Sequence, residues 1–276
     1  MTPPDEGRAL LAAASVEPVG PGRYSATLSP VYTVAGHPHG GYLQCVIASA
    51  ALAGGSEVGS SHLHVTAIST NYVNALVVGP VELQVVVRRV GRGVSFVSVI
   101  LEQKGELAAE SLVTLGTLQE NSRVRYLGAT APEMPSLARC RPLVGGDEVG
   151  IANVLELRLD PAVTGWWDGQ LSSQGEMRGW IRLDDGAASW SPWSLLFATD
   201  ALPPATLALG SSGWVPTLQL TSYVRRVPTS EWLRGVQRAI VIADGLVDQR
   251  CELFDDSGQL VASSTQLAMV RLPGGN

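Results

Sequence analysis

Apolar and polar residues alternate from Arg23 to Val34, a pattern that predicts a strand. The pattern then changes. Gly40-Gly41 opens a run from Tyr42 to Ala53 that is apolar on nearly every face and stops at Gly54-Gly55, as expected of a helix buried on all sides. Four more alternating runs follow, at roughly 62–73, 80–90, 94–102 and 107–117; in the second, Val81, Leu83, Val85 and Val87 share one face. An all-round apolar helix followed by four consecutive strands predicts an antiparallel sheet wrapped around a central helix.

The same order returns in the second half. VTAISTNYV (65–73) aligns with PTLQLTSYV (216–224) at an offset of 151, matching Thr66 with Thr217, Thr70 with Thr221, Tyr72 with Tyr223 and Val73 with Val224. KGELAAESLVT (104–114) aligns with SGQLVASSTQL (257–267) at an offset of 153, and helix 42–53 has its counterpart in Trp193 to Leu202, where Ala50 falls on Asp200. The chain therefore reads as a tandem duplication. Between Gly116 and Gly150 the alternation lapses and Asn121, Pro132, Pro135, Pro142, Gly145 and Gly146 collect, which predicts a connector. The expected organisation is an N-terminal repeat over 1–118, a connector over 119–150 and a C-terminal repeat over 151–276. All seven tryptophans lie after position 165, so the two repeats are expected to pack differently.

Composition narrows the function classes. The 276 residues carry 19 Lys and Arg against 25 Asp and Glu, a net charge of −6, with 45% hydrophobic and only 16% charged residues. Such a chain folds around a sizeable core, and its acidic balance offers no basic field for nucleic acid. The apolar stretches fall short of the roughly 20 residues that a membrane helix needs. The run Ala9 to Ala14 follows Asp5 and Glu6 rather than the positive segment of a secretory signal, so a cytoplasmic location is expected. Cys45, Cys140 and Cys251 are odd in number and far apart, which suits buried hydrophobes better than a disulfide framework. His37, His39, His62 and His64 have no acidic or cysteine partner at ligand spacing, and neither a metal nor a cofactor is expected. The nucleophile elbow G-x-S-x-G, the P-loop and the G-x-G-x-x-G fingerprint are absent, which sets aside serine-hydrolase and nucleotide-binding chemistry.

The segments H-P-H-G-G-Y-L (37–43), G-R-G-V-S-F (91–96), R-G-W-I-R-L (178–183), F-A-T-D (197–200), G-W-V-P-T-L (213–218), E-W-L (231–233) and V-A-S-S-T-Q (261–266) occur in this order across both repeats. Together they resemble the TesB-like acyl-CoA thioesterases, over about residues 20–271. The resemblance implies an α+β, tandem (double) hot-dog fold, two antiparallel sheets each wrapped around a central helix. It implies acyl-CoA as substrate and a homo-oligomer, since joined hot-dog pairs present open sheet edges and apolar faces. In that family an Asp at the end of the second helix, a Thr on the next strand and a Gln on the last strand hold the water that attacks the thioester. The matching motif positions are Asp200, Thr217 and Gln266. Many relatives carry a His on the first-repeat strand just ahead of an aromatic, whereas Ser69, Thr70 and Asn71 precede Tyr72 here. The first repeat has Ala50 and Val113 where the second has Asp200 and Gln266, so it resembles a non-catalytic half that supplies a helix N-terminus, and one site per chain is expected.

Each of these residues also has a plainer reading. Asp200 can cap the Pro203-Pro204 segment; against that, a carboxylate in the last turn of a helix faces the negative end of the dipole, which marks it as a functional candidate. By strict alternation Thr217 shares a strand face with Gln219, Thr221 and Tyr223, the pattern of a solvated face. Gln266 is the lone large polar residue among Ala262, Ser264, Ala268 and Val270 and needs a buried partner, which Asp200 or its water would serve. Gly40, Gly41 and Tyr42 supply either close helix–sheet packing or free amides that polarise a thioester carbonyl. Substrate-binding candidates are His39, Asn71, Arg225 and Arg226, with Arg88, Arg89 and Arg92 as a second arginine set for coenzyme A. Hydrolysis of acyl-CoA is the leading expectation, and a non-catalytic acyl-CoA or lipid-binding protein is the alternative. A hydratase would want an Asp followed closely by a His, and no His occurs after His64.

Overall fold

The computed structural model describes residues 9–119, 124–144, 149–184 and 190–273; Asn121, Gly145 and Gly146 of the expected connector lie outside them. After α1 (Ala9–Ala13), the first half runs through β1 (Glu17–Gly20), β2 (Arg23–Leu28), a short pair β3 (Thr33–Val34) and β4 (His37–Pro38), and helix α2 (Gly40–Glu57). It continues with β5 (His64–Tyr72), β6 (Gly79–Val90), β7 (Ser95–Gln103) and β8 (Glu106–Gly116). The second half has β9 (Arg141–Leu143), β10 (Leu155–Leu159), β11 (Glu176–Leu183), α3 (Leu195–Ala198), β12 (Thr217–Val224), β13 (Leu233–Ala243), β14 (Leu246–Phe254) and β15 (Leu260–Met269).

Thirteen strands form one continuous sheet in the order β1-β2-β6-β7-β8-β5-β12-β15-β14-β13-β11-β10-β9, every neighbour antiparallel. The sheets expected around each helix, joined edge to edge, are here a single sheet. The free backbone edges of β5 and β12 satisfy one another, which fuses the two halves edge to edge. In this seam Thr70 pairs with Leu220 and Ser69 with Thr221. The offset of 151 carries Thr70 onto Thr221 and Ser69 onto Leu220, so it turns one pair into the other, the register of a two-fold junction. Part of the expected connector also belongs to the sheet, because β9 pairs with β10 at its outer edge.

Helix α2 is enclosed, as its apolar pattern requires: Tyr42, Cys45, Val46, Ile47, Ala48, Ala50 and Ala51 are fully buried. Gly54-Gly55 does not end it. A Cβ on Gly54 would come within 2.6 Å of Val85 Cγ1 and one on Gly55 within 2.8 Å of Leu115 Cδ1, so these glycines let the helix press onto β6 and β8. The second helix is shorter than 193–202. Beyond Ala198 the bonds tighten to the three-residue spacing (Asp200 N–H to Phe197 O and Ala201 N–H to Ala198 O, both 3.2 Å), Ser264 Oγ donates to the Thr199 carbonyl, and Pro203-Pro204 follows. The two helices meet at Gly41, where a Cβ would lie 2.9 Å from Leu196 O and 3.0 Å from Phe197 O.

A buried polar cluster lies beneath the seam. Gln44 Nε2 donates to the Leu220 carbonyl (2.9 Å) and to Thr70 Oγ1 (3.3 Å), while its Oε1 accepts from Ser222 Oγ (2.7 Å). On the opposite, outward face of the first half, Val86, Phe96, Ile100 and Leu112 stand exposed. Replacing Gln44 with Leu removes, in a dry environment, the side-chain partner of the Leu220 carbonyl and one of the two partners of the Ser222 hydroxyl, which keeps Thr199 Oγ1 at 3.1 Å. The expected cost is about 1–3 kcal/mol, read as a lower urea midpoint with an unchanged slope; an unaltered midpoint would remove this cluster from the junction's support.

Candidate active site

The carboxylate of Asp200 leaves the end of α3 and meets the start of α2 from the other repeat. The Gly41 N–H donates to its Oδ2 (2.9 Å), and a Cβ on Gly40 would come 2.9 Å from the same oxygen. Only glycine lets the two approach this closely. His39 caps α2: Nδ1 accepts from the Tyr42 N–H (3.4 Å), and Nε2 donates to the Asp200 carbonyl (2.8 Å) while standing 3.3 Å from Oδ2. The carbonyl can only accept, so the proton of a neutral His39 resides on Nε2. Tyr72 Oη donates to the Gly40 carbonyl (2.8 Å) and thereby holds the peptide whose N–H faces Asp200.

The second carboxylate oxygen faces Gln266, whose Nε2 lies 3.4 Å from Oδ1 and also donates to Thr217 Oγ1. Gln266 occupies the inner face of β15 together with buried Ala262, Ser264, Ala268 and Val270. Strict alternation places Thr217 on the outer face, and the structure corrects that. Thr217 pairs with Ala268 but Gln219 with Leu267, so Leu218 is the extra residue of a β-bulge and Thr217 turns inward. Beyond the bulge, Gln219 and Tyr223 face outward and are exposed, as alternation predicts. Strand β5 of the first half carries a matching irregularity at Thr66, between Val65 and Ala67.

Asp200, Thr217 and Gln266 open onto a cavity of about 560 Å³. Much of its wall is apolar, with Leu143, Ile151, Leu157, Trp166, Leu202 and Leu207 among the lining residues. His37 and Trp214 stack near it at 4.2 Å, and His39, Gly40 and Tyr72 line it beside the carboxylate. Other candidates lie elsewhere. Asn71 is exposed and pairs with exposed Gln219, one residue out of phase with Tyr72. Arg225 and Arg226 follow the far end of β12, some eight residues or about 25 Å of strand from Thr217. Neither these three nor Arg88, Arg89 and Arg92 line the cavity. Of the three amides at the start of α2, those of Gly41 and Tyr42 are engaged by Asp200 and His39 and are not available to a ligand; among the described residues the Gly40 N–H has no hydrogen bond. Sequence reasoning passed over Tyr72, Gln237 and Gln249, which line the same cavity.

Burial pushes the Asp200 carboxyl above its ordinary range, against the opposing pull of His39 and the Gly41 N–H. Its folded-state pKa therefore exceeds the unfolded value. Between the two the folded chain binds more protons, so this group lowers stability as pH rises through that window. Asp200→Asn is expected to be more stable than the wild type at neutral pH, the gap closing as pH falls toward ~4; denaturant titrations across that range check it, and a pH-independent gap would contradict it.

Comparison with known proteins places the chain. Residues 27–116 match the acyl-CoA thioesterase N-terminal domain and residues 130–270 the acyl-CoA thioesterase C-terminal domain. A protein assigned as a thioesterase II from Thermobifida fusca is 30% identical, with a TM-score of 0.86 over 95% of this chain and 97% of that one. A hot-dog-fold protein of unknown function from Alicyclobacillus acidocaldarius, 20% identical, superposes with a TM-score of 0.82 over 96% and 98% of the two chains. The acyl-CoA thioesterase II TesB2 of Mycobacterium marinum, 16% identical, does so with 0.75 over 97% and 100%. These last two are likenesses of fold alone. Both thioesterase domains are matched in order, on a duplicated hot-dog scaffold that closes around a buried carboxylate, and the chain belongs to the TesB-like acyl-CoA thioesterase family.

Proposed function

We propose that the protein hydrolyses acyl-CoA thioesters to free fatty acid and CoA, using a water activated by Asp200 and positioned by Thr217 and Gln266. The observation that carries this reading is the division of labour between the two carboxylate oxygens. Oδ2 is held by the Gly41 N–H, while Oδ1 faces Gln266 beside Thr217 at the cavity wall. The first repeat thus supplies a helix N-terminus and the second the reacting groups.

A water between Asp200, Thr217 and Gln266 gives its proton to the carboxylate as its oxygen attacks the thioester carbonyl carbon. Negative charge collects on the former carbonyl oxygen, next to the start of α2, where the Gly40 N–H is the free donor. Collapse of the tetrahedral species breaks the C–S bond. The CoA thiolate departs and takes up the proton that Asp200 received, so no separate acid is needed. The upward shift of the Asp200 pKa makes it a stronger base than an ordinary carboxylate. The acyl chain is accommodated by the apolar lining, which includes Leu143, Ile151 and Trp166. A protein that merely binds acyl-CoA would keep this cavity but leave the buried carboxylate, unfavourable for stability, without a purpose.

The first repeat has Ala50 and Val113, both buried, at the positions of Asp200 and Gln266. A single site per chain follows. We also propose a homo-oligomer, an idea supported by the exposed row of Val86, Phe96, Ile100 and Leu112; sedimentation as a monomer at micromolar concentration would remove it.

Asp200→Asn is expected to lower kcat by about 10²-fold or more with the fold intact, general-base contributions being typically about 10²–10⁴. Thr217→Ala and Gln266→Ala each cost less, and the three combine non-additively because they act on one water. The wild-type kcat/KM should fall on acidification with an apparent pKa above that of an ordinary carboxylate. Acyl-CoA assays with a thiol reagent check all of these, and full activity in Asp200→Asn would bring the binding-protein reading forward.

A further inference from the structure

Next to Gln266, across the ladder on β14, stands Gln249, its direct cross-strand partner. Gln249 is 3% exposed, and Gln237 on β13 is 5% exposed. Three large amides on one inner sheet face are unusual company for an apolar cavity. The first repeat shows what the fold itself asks for there. Val85 pairs with Val99 and Val97 with Val113, just as Gln237 pairs with Cys251 and Gln249 with Gln266. By this register Gln237, Gln249 and Gln266 stand where the other half has Val85, Val97 and Val113, all buried. Valine satisfies the architecture, so the glutamines answer to something else.

Their hydrogen bonds run in one direction. The Ala205 N–H donates to Gln249 Oε1 (3.0 Å), and since a backbone amide can only donate, the oxygen of Gln249 must face it. Gln237 Nε2 donates to the same oxygen (3.1 Å). The nitrogen of Gln249 is thereby turned toward Gln266 and donates to its Oε1 (3.2 Å). The nitrogen of Gln266 in turn points at Thr217 Oγ1 and Asp200 Oδ1. Were Gln266 reversed, its carbonyl oxygen would face the carboxylate and repel it.

We propose that Gln249 is a positioning residue for thioester hydrolysis: anchored by the Ala205 N–H and Gln237, it fixes the carboxamide of Gln266 with its NH2 toward the attacking water's site. The inference rests on the role of Asp200, Thr217 and Gln266 argued above. Gln249 touches neither water nor thioester in this scheme and acts through Gln266 alone.

The decisive variant is Gln249→Glu. An ionised Glu still accepts from Ala205 and Gln237, so the loop after Asp200 stays tied to the sheet; only the donor toward Gln266 is lost. On a saturated acyl-CoA that the wild type hydrolyses, kcat is expected to fall about 10- to 100-fold, the scale of a misplaced catalytic group, with KM within about twofold. The ratio of variant to wild-type kcat should rise as pH falls and the Glu becomes neutral, since a carboxylic acid donates again. In a Gln266→Ala background the same substitution should change kcat less than about twofold. If Gln249→Glu does not fold, Gln249→Met takes its place in the cycle with the same expected non-additivity. Wild-type kcat in the Gln249 variant at every pH, or an equal loss in both backgrounds, overturns the proposal. Asp200→Asn separates the two layers: if it is inactive while Gln249→Glu behaves as wild type, only the positioning role falls, and if it is fully active the underlying site reading falls.

Discussion

The contact between the Asp200 carboxylate and the Gly41 amide is the constraint to which the rest of the molecule is fitted. A charge near the C-terminal end of one helix is badly placed for that helix, and it becomes tolerable only because the N-terminal end of another is brought to within 2.9 Å. That approach demands two consecutive residues without side chains, two helices enclosed by sheet, and a seam between β5 and β12 rigid enough to hold the halves in register. Gln44, buried under the seam and bonded to both strands, links helix α2 to the same junction. Stability is lost at Asp200 and regained around it, the trade that the base proposed for this site would require.

Duplication explains how such a site can be one-sided. Both repeats build the same strands and a buried helix from the same offsets, yet only one carries the carboxylate and amides. The other fills the matching positions with Ala50, Val85, Val97 and Val113 and reads as ordinary core. Comparing two halves of one chain does here what a comparison of relatives does elsewhere. A residue type required by the fold recurs in both halves, and one required by chemistry stands in one.

Much of this is legible in the sequence. The face of β6 built from Val81, Leu83, Val85 and Val87 follows from alternation, and the inward face of β15 that carries Gln266 follows in the same way. The site residues came from a resemblance as much as from pattern, and pattern misled in identifiable places. Thr217 reads as outward because alternation cannot register a single extra residue. Gly54-Gly55 reads as a helix end because a glycine needed for packing and one needed for termination look alike in sequence. The second helix reads as longer than it is because apolar residues persist through Leu202 although the backbone has already left the α spacing. Asn71 and the arginine pair qualify by residue type alone; the outward phase of Asn71 on β5 and the distance of Arg225 and Arg226 along β12 keep them from the cavity wall. Gln237 and Gln249 carried a signal, the substitution of valines at matched offsets, but it emerges only once the strand register is known.

The bulge on β12 separates what the two halves share from what they do not. Its counterpart on β5 breaks the pairing in the same place, with Thr66 as the extra residue where β12 has Leu218. The residue just before the extra one is therefore buried Val65 in the first half and Thr217 in the second. A bend that serves packing in one copy sets a hydroxyl beside Gln266 in the other, so a single side-chain change on a shared backbone irregularity is enough to make the wall of a cavity polar.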